Sequence, residues 1–356
     1  MKPRLLPVIL LMLAVLISCS RSGDMPESGT AEISLPSHTE ETAPESMSVG
    51  TDTSAETDAP FPDHTKIIET EPPSETIPIP EQPAESESAT PEPLILPEGI
   101  HTNITHTDAA EILRELWDLF EPYPDAALYF TDETGEFRMG IREDMKFHSA
   151  STVKAPYCQY LIASGADLTQ SVQFTASTRT SASGFLTAAR VGTFFTVGEL
   201  MEYTIRHSDN QAYRLLLDTF STEEYGRYAQ SIGAPGLALT DGEWAFVTPQ
   251  ELSAAMLEIH RTSETNPILA EHLKNASFNA QISAGTEYET AHKYGYNGGD
   301  DGYHDTAIVF AHGRAYILTV MTHLDFAVEK DPNALFRTAA SLCDRLHAIL
   351  FPSHNP

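Results

Sequence analysis

The sequence predicts an α+β fold in which strands from both ends of one region meet in a sheet, beside a helical middle segment. Strand signals occur at residues 126–141 and return at 290–323, while the apolar spacing of residues 150–275 is mostly typical of helices. Amphipathic helices are predicted at either end, over Asp108–Phe120 and Asn333–Leu350. The segregation of strands and helices along the chain favours α+β over an alternating α/β arrangement.

The predicted strands fall into two groups separated by turn residues. Ala126–Phe130 and Phe137–Ile141 flank Asp132–Gly135, a turn signal typical of a β-hairpin. The second group is predicted to be an antiparallel meander of three strands, Thr290–Tyr296, His304–Phe310 and Ala315–Thr322.

The first chemical motif begins a short apolar segment, Ser151–Ala163, that is predicted to be a buried helix. Ser151 and Lys154 lie three residues apart and therefore share one helix face. A serine hydroxyl needs a neighbour that accepts its proton, and a desolvated lysine can lose its own proton near neutral pH. We interpret Ser151 as a candidate nucleophile and backbone oxyanion donor, and Lys154 as its base. The alternative is a helix-capping serine beside a lysine that reaches solvent.

The second motif lies between two predicted helices. Thr196–Glu199 has the T-x-x-E spacing of a capping box and predicts a helix that ends near Ser208-Asp209-Asn210. A short polar loop there can project side chains into a cleft. We expect Ser208 to relay a proton to a leaving group, Asn210 to hold Lys154 and a substrate amide, and Asp209 to contribute to substrate binding. Taken alone, these three residues are typical of a turn.

The third motif lies on the strand Thr290–Tyr296. Lys293 offers a positive charge to a substrate carboxylate, and Tyr294 follows it as a candidate substrate contact. Gly295 allows a substrate to approach the backbone closely. The backbone N–H of Tyr296 is the candidate for a second oxyanion donor.

In this order, the motifs S-x-x-K, S-D-N and K-x-G resemble the signature of class A β-lactamases and penicillin-binding proteins. The resemblance to these penicillin-recognising serine hydrolases covers residues 104–352. It implies a five-stranded antiparallel sheet flanked by helices, an all-helical subdomain, and an active site in the seam between them. Further similar segments are Phe147–Ala150, Thr196–Leu200, Thr248-Pro249 with Glu251–Ile259, and His304–Val309.

The resemblance implies an acyl-enzyme serine hydrolase that acts on β-lactams or on D-Ala-D-Ala-like amides of peptidoglycan. One alternative is a cell-wall D,D-peptidase, that is, a penicillin-binding protein. Another is a non-catalytic sensor or wall-binding lipoprotein that keeps the fold. We expect a monomer without a cofactor, and no metal, because the histidines and cysteines lack the spacing of zinc ligands.

Two departures from the family pattern lead us to expect weak β-lactam turnover. The E-x-x-L-N motif, whose glutamate activates the deacylating water in class A enzymes, is missing. Glu243 is the only acid shortly before Thr248 and is therefore the candidate deacylation base, although a surface loop residue is the simpler interpretation. Tyr294 stands where the family has Thr or Ser.

The N-terminus has the features of a lipoprotein signal peptide at residues 1–18. Lys2 and Arg4 precede an apolar core, Leu5–Ile17, of signal-peptide length. The residues that end at Cys19 resemble a bacterial lipobox and imply lipidation of Cys19. We therefore expect an extracytoplasmic protein that is lipid-anchored to the bacterial cell membrane. The alternative is an ordinary signal peptide with an incidental cysteine.

Residues 19–100 are predicted to be a disordered, acidic tether before a hydrolase domain at residues 101–356. From residue 20 to residue 100 there are 18 acidic residues against two basic ones, and 13 of the 24 prolines in the chain. Such a composition buries too little apolar surface to offset the entropy of ordering. The net charge of −30 argues against nucleic acid as a partner.

The sequence allows two interpretations for each of two pairs of residues, two cysteines and two histidines. Cys158 and Cys343 are predicted either to form a disulfide or to be two buried thiols. His292 and His304 flank the expected cleft and are candidates for tuning Lys293, although a structural polar contact is the simpler interpretation.

Overall fold

The computed structural model of the protein describes residues 95–179, 184–324 and 331–352. The predicted signal peptide, the lipidation site at Cys19 and the predicted tether up to residue 94 lie outside the described residues.

The central feature is an antiparallel sheet of six strands in the order β1-β3-β2-β10-β9-β8. The predicted α+β class is confirmed, but the sheet has one strand more than the five expected. The additional strand is β1, which has three residues and pairs with β3. The strands of this sheet are β1 Ile100–Thr102, β2 Ala126–Asp132, β3 Arg138–Ile141, β8 Glu289–Asn297, β9 Gly302–Phe310 and β10 Tyr316–His323.

The two halves of the sheet come from distant parts of the chain and join where β2 pairs with β10. Their register runs from Ala126 opposite Thr322 to Asp132 opposite Tyr316. The hairpin β2–β3 and the meander β8–β10 therefore form one sheet, as the strand signals predicted. Since β8 pairs only with β9 among the described strands, β8 is an edge strand.

Helices cover both faces of this sheet. A 3₁₀ turn, Thr107–Ala109, precedes α1 Ala110–Phe120, and α1 packs with the C-terminal helix on one face. Two short strand pairs, β4 Phe147–His148 with β7 Phe246–Val247 and β5 Ser171–Gln173 with β6 Phe194–Thr196, lie outside the main sheet. The remaining helices are α2 Lys154–Ala163, α3 Val197–Arg206, α4 Asn210–Thr219, α5 Thr222–Ser231, α6 Pro249–Ser263, α7 Ile268–Lys274 and α8 Ala334–Leu350.

The buried apolar side chains form two clusters, one on each face of the sheet. The first joins the sheet to α1 and α8 through residues such as Leu116, Phe130 and Phe336. The second fills the helical part and includes Tyr157, Leu216 and Met256. A sheet that is apolar on both faces must be covered on both, and burial of this surface stabilises the layered arrangement.

Two predicted helix starts are confirmed by their hydrogen bonds. At the start of α3, the Glu199 N–H donates to Thr196 Oγ1 at 3.1 Å, and Thr196 N–H donates to Glu199 Oε2 at 2.7 Å. Thr248 and Glu251 form the same reciprocal pair at the start of α6. Each pair satisfies two donors that a helix N-terminus otherwise leaves without partners.

Three further features concern cysteines, metals and membranes. Cys158 and Cys343 are both buried and free, so the structure favours two thiols over a disulfide. Across residues 95–179, 184–324 and 331–352, no group of His, Cys, Asp and Glu side chains is arranged to hold a metal ion. In the same part of the chain, no helix has both the length and the apolar character needed to cross a bilayer.

Candidate active site

Ser151 lies in a tight turn whose first residues are hydrogen-bonded to the segment before β7. The predicted helix begins as a 3₁₀ turn, Ala150–Val153, and becomes α-helical only at Lys154. The Ser149 N–H donates to the Ala245 carbonyl at 2.8 Å, and Ala245 N–H donates to Ser149 Oγ at 3.0 Å. These bonds fix the entry to the turn and therefore the position of the Ser151 hydroxyl.

Lys154 is completely buried beneath this turn. Its ammonium donates to the Ser208 carbonyl at 2.7 Å, to Ser208 Oγ at 3.4 Å and to Asn210 Oδ1 at 2.5 Å. Burial and the nearby charge of Lys293 lower the pKa of Lys154 well below its usual value, and the carboxylates of Asp209 and Glu243 only partly oppose this. The environment therefore favours a neutral amine, which can accept a proton.

Ser208 lies between the two buried lysines. It adopts a positive φ of 53°, which is uncommon for a residue with a side chain. In this conformation its carbonyl accepts from Lys154, while its hydroxyl accepts from Lys293 Nζ at 3.0 Å. The loop between α3 and α4 thus presents one hydroxyl to both amines.

Asp209 is fully buried and caps α4 rather than lining a cavity. One carboxylate oxygen accepts from the N–H groups of Gln211 and Ala212 at 2.8 and 2.9 Å. The other accepts from Leu186 N–H at 2.9 Å. The structure therefore places Asp209 as a positioning residue for the loop, in contrast to the substrate contact that was expected.

Lys293 is also completely buried, on the edge strand β8. It donates to Ser208 Oγ and, at 2.9 Å, to the Tyr294 carbonyl, and its Nζ lies 4.3 Å from the centre of the Tyr294 ring. Burial lowers the pKa of Lys293 to about 7, and the carboxylate of Asp305 partly opposes this shift. Lys293 lies next to Ser208 but does not line the cavity. The structure therefore does not place its ammonium where a substrate carboxylate was expected to bind.

The edge strand β8 passes very close to the nucleophile turn at Gly295. A Cβ atom added to Gly295 would lie 3.1 Å from the backbone nitrogen of Ser151 and 3.1 Å from Ala150 Cβ. The absence of a side chain therefore allows β8 to approach Ser151, whereas the sequence predicted that this glycine admits a substrate. The next residue, Tyr296, also lines the cavity.

The Ser151 turn, the Ser208 loop and β8 meet at a cavity of about 500 Å³. Of the predicted site residues, Ser151, Ser208, Asn210, Tyr294 and Tyr296 line it. Three further lining residues were not predicted from the sequence. One of them, His207, directly precedes the second motif, so its position could have been predicted. The missed lining residues are Gly184, Phe185 and His207.

Phe185 and His207 form one wall of the cavity. Their ring centres lie 4.2 Å apart, and 65% of Phe185 is exposed. His207 Nδ1 lies 2.8 Å from Ser277 Oγ. No motif pointed to Phe185, because only the fold brings its turn, Phe185–Ala188, against the loop at Asp209.

Glu243 is not among the residues that line the cavity. Its carboxylate forms an ion pair with Arg214 Nη1 at 3.0 Å, and its carbonyl accepts from the Tyr213 hydroxyl at 3.2 Å. One oxygen of this carboxylate is therefore held by a guanidinium, and the charge of Glu243 also acts on Lys154.

The two histidines considered for tuning Lys293 have other partners. His292 Nδ1 lies 3.0 Å from Asp305 Oδ1, and the same carboxylate accepts from Ile282 N–H through its other oxygen. His304 Nε2 lies 2.9 Å from the His148 carbonyl, and burial lowers the pKa of His304 to about 3. His304 is therefore a neutral ring with a structural contact.

The arrangement combines an accessible serine hydroxyl, a buried amine of depressed pKa, and a second hydroxyl between two amines. Backbone N–H groups of Ser151 and Tyr296 lie on adjacent segments, as two donors of an oxyanion site must. Such a set suits nucleophilic attack on a carbonyl carbon followed by proton transfer to a leaving group.

Comparison with solved structures supports the same fold. An acyl-enzyme complex of a PBP-A variant with penicillin G superposes with a TM-score of 0.60 at 19% identity, over 67% of this chain and 96% of that one. A class A β-lactamase from Mycobacterium abscessus gives 0.56 at 24%, over 66% and 98%. A β-lactamase from Streptosporangium roseum gives 0.59 at 20%, over 67% and 99%.

At these identities the structural likeness concerns the fold alone. Comparison with curated proteins gave no match. The family model described as the β-lactamase enzyme family matches residues 109–345, which include all three motifs. With this match, the fold and the site geometry in agreement, the chain belongs to the β-lactamase enzyme family.

Proposed function

We propose that this protein is a serine hydrolase that forms an acyl-enzyme at Ser151 with β-lactams or with D-Ala-D-Ala-like amides of the cell wall. The observation that carries this proposal is the state of Lys154. It is a fully buried amine with a strongly lowered pKa, one helical turn from an accessible serine hydroxyl. A purely structural lysine would be expected to keep its charge through a carboxylate partner, whereas the partners of this one are neutral oxygens.

In the proposed reaction, Ser151 Oγ attacks the carbonyl carbon and Lys154 accepts the hydroxyl proton. The N–H groups of Ser151 and Tyr296 donate to the oxyanion that develops on the carbonyl oxygen. Asn210 holds Lys154 in place through its side-chain oxygen. When Lys293 is protonated, its charge lowers the pKa of Lys154 and so favours the neutral form of Lys154.

Collapse of this intermediate requires a proton for the leaving group. Ser208 Oγ is placed for this step because it lies within hydrogen-bonding range of both lysine ammonium groups. The proton taken by Lys154 can therefore reach the leaving group through the Ser208 hydroxyl. Breaking the scissile bond leaves the acyl group on Ser151 and releases the protonated leaving group.

We expect release of the acyl group to be slow. None of the described residues that line the cavity is an Asp or Glu, and the carboxylate of Glu243 is occupied by Arg214. Activation of a hydrolytic water needs a base within hydrogen-bonding distance of it. This observation favours the second candidate function, a penicillin-binding protein or D,D-peptidase in which a β-lactam adduct persists.

We further propose that the enzyme is lipid-anchored outside the cytoplasm through Cys19. The support is the sequence alone, namely the apolar segment Leu5–Ile17, the lipobox-like residues and the acidic, proline-rich stretch at 19–100. Radiolabelled palmitate incorporation into wild type but not into Cys19→Ala would test it. Equal incorporation into both forms would contradict the anchor.

The catalytic proposal is tested by labelling the protein with a fluorescent penicillin, beside Ser151→Ala, and following the label for hours. A label that forms only on the wild type and decays supports a hydrolase, and one that persists supports the penicillin-binding function. Label on Ser151→Ala, or no Ser151-dependent reaction with any β-lactam or acyl-D-Ala-D-Ala peptide, would contradict the proposal.

A further inference from the structure

Tyr294 occupies the side of the cavity next to Ser208. Its ring packs against Phe278 with ring centres 4.4 Å apart, and Tyr294 and Ser208 both line the cavity. Burial raises the pKa of Tyr294 above its usual value, so the phenol is neutral at physiological pH. Because Ser208 delivers the proton to the leaving group in the proposed reaction, the phenol lies on the leaving-group side of the cavity.

Tyr294 also separates Lys293 from the cavity. The carbonyl of Tyr294 and the Ser208 hydroxyl accept two of the three N–H donors of Lys293, and the Tyr294 ring lies 4.3 Å from Nζ. Lys293 has no exposed surface. A substrate carboxylate could therefore reach this ammonium only if the Tyr294 side chain moved away.

Among the described residues that line the cavity, no other fixed cation takes the place of Lys293. None of the described residues lining the cavity is Lys or Arg, and the only ionisable base among them is His207, which faces Ser277. Burying a carboxylate without a charged partner costs much more than burying a neutral amide or ester. At its surface the leaving-group side thus offers two hydroxyls, those of Ser208 and Tyr294, and no charged side chain among the described lining residues.

We propose that Tyr294 makes this a neutral leaving-group subsite, so that the enzyme prefers acyl donors whose leaving group carries no carboxylate, such as internal peptide amides and neutral esters. This inference rests on the proposed acyl-enzyme function. Within that function it ranks penicillins and terminal D-Ala-D-Ala, whose leaving groups carry a carboxylate, below neutral amides and esters as acyl donors. Among cell-wall peptides it favours bonds within a chain or a cross-link over a terminal D-Ala with a free carboxylate.

A matched pair of substrates tests the inference. One is an acyl thioester of thioglycolate, whose leaving group carries a carboxylate, and the other is its methyl ester. The ratio of kcat/KM for the two, each divided by the uncatalysed hydrolysis rate of the same thioester, measures the selectivity independently of intrinsic reactivity. We expect the wild type to favour the methyl ester.

Two variants at Tyr294 distinguish the effect of its ring on the selectivity ratio from the effect of its hydroxyl. In Tyr294→Thr the ring is gone and Lys293 becomes reachable, so the ratio should shift toward the carboxylate by about tenfold or more, the size expected of a charge-assisted hydrogen bond. Tyr294→Phe keeps the ring and should keep the neutral preference. Tyr288→Thr is the matched control, since Tyr288 packs with the cluster under the terminal helices and should leave the ratio unchanged.

The outcomes distinguish the two proposals. A wild type that favours the carboxylate thioester, or a ratio that Tyr294→Thr leaves unchanged, would overturn the neutral subsite while Ser151-dependent turnover still supports the acyl-enzyme. If neither thioester acylates Ser151 above the Ser151→Ala background, read from released thiol and from the mass of the protein, the acyl-enzyme function would be overturned, and the subsite with it.

Discussion

Lys154 and Ser208 are joined at both the backbone and the side chain of the serine, because Lys154 Nζ donates to the Ser208 carbonyl at 2.7 Å and to its hydroxyl at 3.4 Å. The positive φ of Ser208 directs the carbonyl toward the lysine. The base of the S-x-x-K motif is thereby held by the loop of the S-D-N motif. Neither motif can perform its proposed chemistry without the other.

Replacing Lys154 with arginine should lower the rate of Ser151 acylation by roughly 10²–10⁴-fold, the usual contribution of a positioned base. An arginine keeps the positive charge but does not lose its proton at accessible pH. Stopped-flow or quenched labelling with a fluorescent penicillin measures this rate. Lys146→Arg, at an exposed position, is the control and should react like wild type. Acylation of Lys154→Arg at the wild-type rate would exclude Lys154 as the base.

The burial of Lys293 should appear in the pH dependence of stability. Its pKa is about 7 in the folded protein against 10.5 for an ordinary lysine, so between these values the unfolded chain binds a proton that the folded protein lacks. The free energy of unfolding contributed by this group therefore rises with pH across that window. We expect Lys293→Met to show a smaller rise than wild type between pH 7 and 9, measured by urea denaturation.

Lys274→Met is the matched control for this measurement. Lys274 is paired with Glu271 and Glu289, and these partners raise its pKa, so it holds its proton in both states up to pH 9. This variant should keep the wild-type slope. Parallel slopes for Lys293→Met and wild type would show that Lys293 titrates normally.

A side chain at Gly295 should disturb catalysis more than folding. The added Cβ of Gly295→Ala would lie 3.1 Å from Ser151 N, so β8 must move outward by a few tenths of an ångström or more. Since small misplacements near reacting atoms are costly, we expect acylation to slow on the order of 10–100-fold. Gly226→Ala, where the nearest side-chain atom is 3.7 Å away, should acylate normally. An unchanged rate in Gly295→Ala would mean that the close approach of β8 is dispensable.

Loss of the Asp209 carboxylate should destabilise the protein. Asp209→Ala leaves the N–H groups of Gln211, Ala212 and Leu186 without their acceptor, which should lower the free energy of unfolding by about 1–3 kcal/mol. Ser221→Ala, which removes the exposed N-cap of α5, should cost about 1 kcal/mol or less. Equal losses in the two variants, read from urea unfolding curves, would argue against a special role for the buried cap.

The elements that sequence predicted well are those determined by local chemistry. The capping box at Thr196 lies where its spacing indicated, because it involves only four neighbouring residues. The strands of the meander and the helices at either end also agree within a few residues, since a period of 2 or 3.6 is visible in any sufficiently long amphipathic segment.

Features that depend on distant residues were not predictable in the same way. The strand β1 is too short to show a period, and it exists because β3 offers a free edge. Phe185 has no motif and reaches the cavity through the bond between Leu186 N–H and Asp209. The capping role of Asp209 was predictable, since an aspartate before a predicted helix is a common N-cap. The S-D-N motif favoured a substrate contact instead.

The pairing of β2 with β10 also has a consequence for how the site comes into being. Residues 126–132 find their partners only at 316–322, so the sheet closes late and over a large separation along the chain. When the Ser151 turn leaves the ribosome during synthesis, β8 and the strands that pair with β8 and β9 have not yet been synthesised. Nascent or C-terminally truncated chains should therefore be inert toward acyl donors, and reactivity should arise in a single step when the last third of the polypeptide has emerged.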